Sequence, residues 1–306
     1  MKNNLENLLE NENYNLVEAR KANRKIIFSY LIYFLSINIL ASLTGFIQDI
    51  GIRQITIVGL GIIPIYFFVG KKSLENLRSQ KQKYFGIKDL FFFVGLSYAI
   101  TLIFSIFTNF VVSKLNIPSP NVTKIIQNNL NITLFIYAVI FGPAIEELQF
   151  RGFYLNITRK YGKIASILLV SILFSFSHLN IIQGLGTFGL ALVFTYVAYF
   201  YSFRDALILH IINNLIVAIV GFLSSNYGLQ SMQIVALSII LIILGFSAIV
   251  QLFTEKRRNE FKNNLKIDKA EKKYLKNLFT DYVFIVYFIF ILAFSVYAGY
   301  IAQNAR

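Results

Sequence analysis

What constrains this chain most is a succession of apolar runs, each about 20 residues long and separated by polar stretches. Coiled as a helix at about 1.5 Å per residue, such a run matches a hydrocarbon core about 30 Å thick. A helix satisfies its own backbone N–H and C=O groups where no water can. The fold class is therefore all-α, a polytopic transmembrane helical bundle. The expected spans are 26–47, 55–70, 90–112, 131–150, 164–180, 185–203, 206–222, 232–252 and 282–302; the second is short and the fourth interrupted, so the count is eight or nine. A hydrophobic content of 56% and a mean hydropathy of +0.62 are too high for a water-soluble fold.

The net charge of +14 invites a nucleic-acid reading, which its distribution dismisses. Arg20, Lys21, Arg24 and Lys25 precede the first span; Lys71, Lys72, Arg78, Lys81, Lys83 and Lys88 fill the second loop; Arg159, Lys160 and Lys163 follow the fourth span; and a further basic loop runs from Lys256 to Lys276. Segments 113–130, 179–184 and 223–231 are almost uncharged. This alternation is the positive-inside pattern and puts the N-terminus and the basic loops in the cytoplasm. With no cysteine, disulfides, thiol nucleophiles and thiolate metal sites are excluded. The first run follows a 25-residue polar head and lacks a small-residue cleavage site, so it reads as a retained span.

Four parts follow: an amphipathic cytoplasmic segment 1–25, N-terminal helices over 26–130, a core over 131–222, and C-terminal helices over 223–306 that include the basic loop 254–280. Segment 1–25 places Leu5, Leu8 and Leu9 at helical spacing, which suits a short helix on the membrane surface. Loop 254–280 has the same character, and either segment could receive a partner protein.

The core holds the chemistry. The only two histidines, His178 and His210, lie in apolar stretches with Glu146, Glu147 and Arg151. An ionisable residue inside a span costs roughly 2.5–3.5 kcal/mol, and one kept at that cost faces a polar cavity. Gly142 and Pro143 precede the glutamates, and a proline there should kink the helix or restart it. Beyond the break, Glu147 and Arg151 stand four apart and form an ion pair, while Glu146 points about 100° away. A carboxylate without such a partner is suited to take up a proton, which makes Glu146 the candidate general base. Phe174 stands one turn before His178. His210 and Asn214 share a face of the seventh span, with Asp205 as its N-cap and Asn214 holding the imidazole in one tautomer. Ordinary spans put His178 about 15 residues, ~22 Å, from the cytoplasmic end of its helix, deeper than Glu146 and His210. A tilted helix, a water-filled funnel or a shifted boundary has to bring the three level.

Glu146-Glu147-x-x-x-Arg151, Phe174-x-x-x-His178 and His210-x-x-x-Asn214, within the words GPAIEELQFRGF, SILFSFSHL and ALILHIINNL, resemble the CPBP family of CAAX proteases and bacteriocin-processing enzymes, also called Abi. This family includes the type II CAAX prenyl endopeptidases. The likeness covers roughly 131–222, and Gln149 stands where the family more often has an apolar residue. It implies an intramembrane endopeptidase acting on a peptide or membrane-protein substrate in the bilayer. Glu146 would activate water with His178 assisting, Glu147 and Arg151 would brace the site, and His210 with Asn214 would hold the oxyanion. The family has been described both with and without metal. Glu146, His178 and His210 could ligate zinc with one position open, but the chain has no HExxH, and the metal-free version with no cofactor is preferred.

Two other functions compete. A non-catalytic scaffold that binds and regulates a partner would use the polar cluster for structure. A proton-relaying transporter would show paired broken helices in two related halves, and only one break is evident. The residue usage, rich in Asn, Lys and Ile, suggests an AT-rich bacterial genome and hence the cytoplasmic membrane of a bacterium.

Overall fold

In a computed structural model, residues 2–69, 73, 83–115, 131–228 and 230–304 are described; among them there is no strand. The elements are α1 (Lys2–Leu43), α2 (Ile50–Val69), α3 (Ile87–Leu115), α4 (Ile132–Tyr161), α5 (Lys163–Phe176), α6 (Ile181–Phe200), α7 (Phe203–Tyr227), α8 (Met232–Leu252), α9 (Glu255–Asn264), α10 (Lys269–Phe279) and α11 (Tyr282–Asn304). Among the described residues, seven single helices are long and apolar enough to cross a bilayer: α1 from Asn15, then α2, α3, α4, α6, α7 and α8. An eighth span arises if α10 and α11, bent by 56° at their joint, are taken together. The chain is a multi-pass membrane protein. The fifth expected span, 164–180, is the 14-residue α5, whose length of about 21 Å falls short of the hydrocarbon core. The stretches expected as loops at 70–72, 74–82 and 116–130 lie outside the described residues.

Helix α6 stands at the centre and packs on α3, α5 and α7, with Ala191, Phe194, Thr195 and Val197 buried. Helix α3 lies between α6 and α8, and the α3–α8 crossing is close: a Cβ at Gly95 would fall 2.2 Å from the Leu244 carbonyl. Outside this core, Ile103, Ile106, Ile242, Ile243 and Phe246 expose apolar surface of the kind a bilayer covers.

One expectation needs correction at the N-terminus. Residues 2–25 do not make a separate surface helix. No Gly or Pro interrupts residues 2–43, so the polar head continues into the first span as one helix. Its flank is clasped by the other candidate partner segment. Arg24 Nε donates to Asp281 at 3.0 Å, Arg20 Nε to Asn277 Oδ1 at 3.2 Å, and Asn277 Nδ2 to the Leu16 carbonyl at 2.9 Å. The two amphipathic segments thus partner each other.

Helix α10 also sets the start of α5. Asp268 caps α10 by accepting from the Glu271 amide. The Glu271 carboxylate then accepts from the amides of Lys163, Ile164 and Ala165 at 3.1, 2.8 and 2.9 Å, satisfying the free N–H groups of α5's first turn. Gly162 makes the turn between α4 and α5 with φ +144°, and a Cβ there would meet Glu271 Oε1 at 3.0 Å. Only glycine suits both demands.

Candidate functional site

Helix α4 does not break at Pro143. The chain passes from α-helix into a π-helical stretch, Tyr137–Phe141, then an α-helical stretch, Gly142–Glu147, and a second π stretch, Leu148–Tyr154. A π turn inserts a residue and lets the rod absorb a proline that supplies no N–H. Nor does α4 end near 150. Its last turns, beyond the expected end of the span, are held by neighbours: Asn156 Nδ2 donates to the Ser73 carbonyl at 2.8 Å and Arg159 Nη2 to the Tyr199 carbonyl at 2.6 Å.

This longer helix removes the problem of depth. Glu146 lies on α4, 16 residues before Gly162, and His178 lies 16 residues after it, just past the end of α5, so the two are carried equal distances along the chain from the same turn. The boundary was what had to shift. Helix α5 stops at Phe176, and His178 sits in the following turn with Leu179 at φ +52°. Asn180 then caps α6 by accepting from the amides of Ile182 and Gln183. A left-handed leucine costs roughly 1–2 kcal/mol and fixes where His178 is carried.

The two adjacent glutamates have opposite surroundings. Glu147 is fully buried, and its Oε1 accepts from Arg151 Nη1 at 2.7 Å and pairs with His210 Nδ1 at 2.9 Å. Its Oε2 is buried without a hydrogen-bond partner. Glu146 keeps its side chain 34% exposed and brings Oε2 to 3.6 Å from His210 Nε2. That is too long for a direct hydrogen bond and leaves room for a water that touches both. With His210 Nδ1–H donated to Glu147, the tautomer assigned from this network leaves Nε2 facing Glu146.

Arg151 is the hub of the buried side. Its Nε donates to Thr195 Oγ1 at 3.2 Å and its Nη2 to the Ala191 carbonyl at 3.4 Å, both on α6, while its guanidinium lies 4.3 Å over the Phe174 ring. Ser171 of α5 donates to the same Ala191 carbonyl at 3.1 Å. Phe174 then joins the histidines: its ring centroid is 5.6 Å from His178 and 5.5 Å from His210, edge-on to each. Phe194 covers the other face of His210 at 5.4 Å. Thr195, Ser171 and Phe194 were not singled out from the sequence; the signal available was a pair of hydroxyl residues in otherwise apolar spans.

Side chains from α4, α5 and α7 therefore gather as expected, with three differences of detail. His210 is oriented by Glu147, not by Asn214, whose Nδ2 donates to the Ala138 carbonyl at 2.9 Å. The N-cap of α7 is Ser202, which accepts from the Asp205 amide, because a serine three residues ahead closes the capping geometry that Asp205 itself, inside the helix, cannot. His178 makes its ring hydrogen bond to its own turn, Nδ1 to the Ser175 carbonyl at 3.2 Å, and reaches the rest of the site through Phe174.

Among the described residues no group of three or more His, Cys, Asp or Glu side chains is placed to hold a metal ion. Glu146, His178 and His210 are not gathered as a three-ligand set in this geometry; each imidazole has its Nδ1 held, that of His210 by Glu147 and that of His178 by the Ser175 carbonyl, which leaves the two Nε2 atoms uncommitted. The arrangement sets a carboxylate that is about a third exposed against the free edge of an imidazole, with the Asn214 amide one helical turn beyond that imidazole.

Residues 128–216 match the family model described as Rce1-like, type II CAAX prenyl endopeptidase. All six site residues lie inside that match. No curated protein and no solved structure matches the chain.

Proposed function

We propose that this chain is an intramembrane endopeptidase of the CAAX protease (CPBP) kind that hydrolyses a peptide bond with water activated by Glu146, a reading supported by the match of residues 128–216 to the Rce1-like family model. The observation that carries the reading is the contrast between the glutamates: Glu147 spent on Arg151 and His210, Glu146 open beside His210 Nε2 at 3.6 Å.

In this mechanism a water between Glu146 and His210 gives its proton to the Glu146 carboxylate as its oxygen adds to the scissile carbonyl carbon. The carbonyl oxygen becomes an oxyanion. Asn214 has an amide N–H to offer it, and His210 contributes an Nε2–H when doubly protonated. As the C–N bond breaks, Glu146 returns the proton to the leaving amine, with His178 assisting, so one water is consumed and two peptide ends are made. Glu147 and Arg151 do no bond chemistry. They fix the imidazole and keep a buried charge compensated.

The proposed substrate is a short peptide or a membrane-proximal segment, such as a bacteriocin or signalling-peptide precursor or a target of self-immunity. The proposed setting is a bacterial cytoplasmic membrane with the N-terminus inside, supported by the alternation of basic loops. The test is cleavage by purified protein in lipid vesicles of internally quenched peptides, one set ending in a farnesylated CAAX sequence and one unmodified. The wild type should cleave at least one set, without inhibition by a chelator, and Glu146→Ala and His178→Ala should cleave none while remaining folded. A fully active double variant would refute the proposal, and activity lost on chelation and restored by zinc would overturn its metal-free form.

A further inference from the structure

The turn of α4 around Pro143 leaves a backbone acceptor for a side chain of α7. The Gly142 N–H donates to the Tyr137 carbonyl, five residues back, so this stretch is in π register. In the same register the amide of residue 143 would reach the Ala138 carbonyl. Proline has no N–H, and the Ala138 oxygen is passed over by both amides that could have used it. Asn214 Nδ2 takes it, at 2.9 Å.

The other end of the Asn214 amide is tied as well. Asn213 Nδ2 donates to Asn214 Oδ1 at 3.1 Å. A carboxamide has one carbonyl oxygen and two N–H donors. With the oxygen and one N–H committed, the group has a single orientation and one N–H to spare. Asn214 stands one helical turn after His210, whose Nε2 faces Glu146.

We propose that Pro143 is a positioning residue for Asn214: by withholding a backbone donor it reserves the Ala138 carbonyl for the asparagine amide, and so aims the remaining N–H at the oxyanion. The inference rests on the reading of Asn214 as an oxyanion donor. It also explains why a proline sits in a helix interior, where it is the least favourable residue and produces no break here.

The experiment uses the full chain in vesicles with the same quenched peptides. Pro143→Ala supplies an N–H that competes for the Ala138 carbonyl while improving helix propensity. It should unfold no earlier than the wild type, yet lose turnover by about tenfold or more with little change in KM; removing an oxyanion donor altogether costs about 10²–10³-fold. Putting the α-hydroxy acid counterpart of alanine at position 143 makes an ester with no N–H, and should restore turnover. Asn214→Ala should be deeply impaired, and adding Pro143→Ala to it should cost little more. Wild-type turnover in Pro143→Ala alongside an inactive Asn214→Ala would overturn the positioning role and leave the protease reading intact. An ester variant as slow as Pro143→Ala would also overturn it, since the ring and not the missing donor would then matter. If Pro143→Ala folds poorly, the ester variant decides alone: wild-type turnover supports the role and loss of turnover overturns it. A wild type that cleaves no peptide overturns both.

Discussion

Two buried arginines in this molecule are built alike and used differently. Arg151 lies 4.3 Å over Phe174, and Arg257 of α9 lies 4.2 Å over Phe92 of α3. Around Arg257 every carboxylate is answered: Asp89 pairs with Nη2, Glu260 accepts from Nη1 at 2.9 Å and is met by Lys83 at 2.6 Å, and the Tyr201 hydroxyl completes the ring by donating to Glu260. Around Arg151 one carboxylate is shared with an imidazole whose far nitrogen looks to a second, partly exposed carboxylate. The closed cluster fastens α9 to the bundle; the open one has valence left over. Buried charge alone therefore marks no site. A charge network that stops short of saturation, with one carboxylate partly exposed, is the better candidate.

Variants can break or sharpen this contrast. Arg151→Ala should have the largest effect on stability, about 3–5 kcal/mol in detergent unfolding, because it strands the fully buried Glu147 carboxylate without its guanidinium partner. Arg257→Ala should cost less, about 1.5–3 kcal/mol, since Lys83 remains on Glu260; peptide cleavage by the folded fraction should be unchanged. Glu271→Ala, which uncaps α5 without touching either cluster, should cost about 1–2 kcal/mol in the same assay.

The smallest effect is a pH dependence confined to the closed cluster. Burial raises the Glu260 carboxyl, but hydrogen bonds from Lys83, Tyr201 and Arg257 outweigh it and hold the group below its ordinary value. A carboxyl depressed in the folded state stabilises the fold above its ordinary range, and that contribution fades as pH falls through the folded value. The difference in unfolding temperature between wild type and Glu260→Gln should therefore be present at neutral pH and narrow below about pH 4.5. A constant difference down to the acid limit would show that the ion pairs contribute nothing there.

Much of this was legible in the sequence because it is local. Apolar run length gave the spans, and charges inside those runs gave Glu146, Glu147, Arg151, His178 and His210, which gather from three helices. The misses came from contacts between distant segments. The fourth span was expected to end at 150, but its helix runs on to Tyr161, where Ser73 and Tyr199 supply carbonyls to Asn156 and Arg159. Residues 1–25 look like a surface helix until Asp281 and Asn277 clasp Arg24 and Arg20 from the far end of the chain. The Asp89–Arg257 pair spans 168 residues, beyond any rule of helical spacing. Pro143 misled for a different reason: it signals a missing donor, and a π turn lets a helix accommodate one without a break.

The most direct measurement is the turnover of Glu146→Gln in vesicles against the quenched peptides, with unfolding followed on the same sample. Glutamine keeps the shape and loses the base. Turnover should fall by about 10²–10⁴-fold, while stability stays within about 0.5 kcal/mol because the side chain is already a third exposed. A Glu146→Gln protein that is folded and cleaves at the wild-type rate would contradict the claim that the open carboxylate activates water.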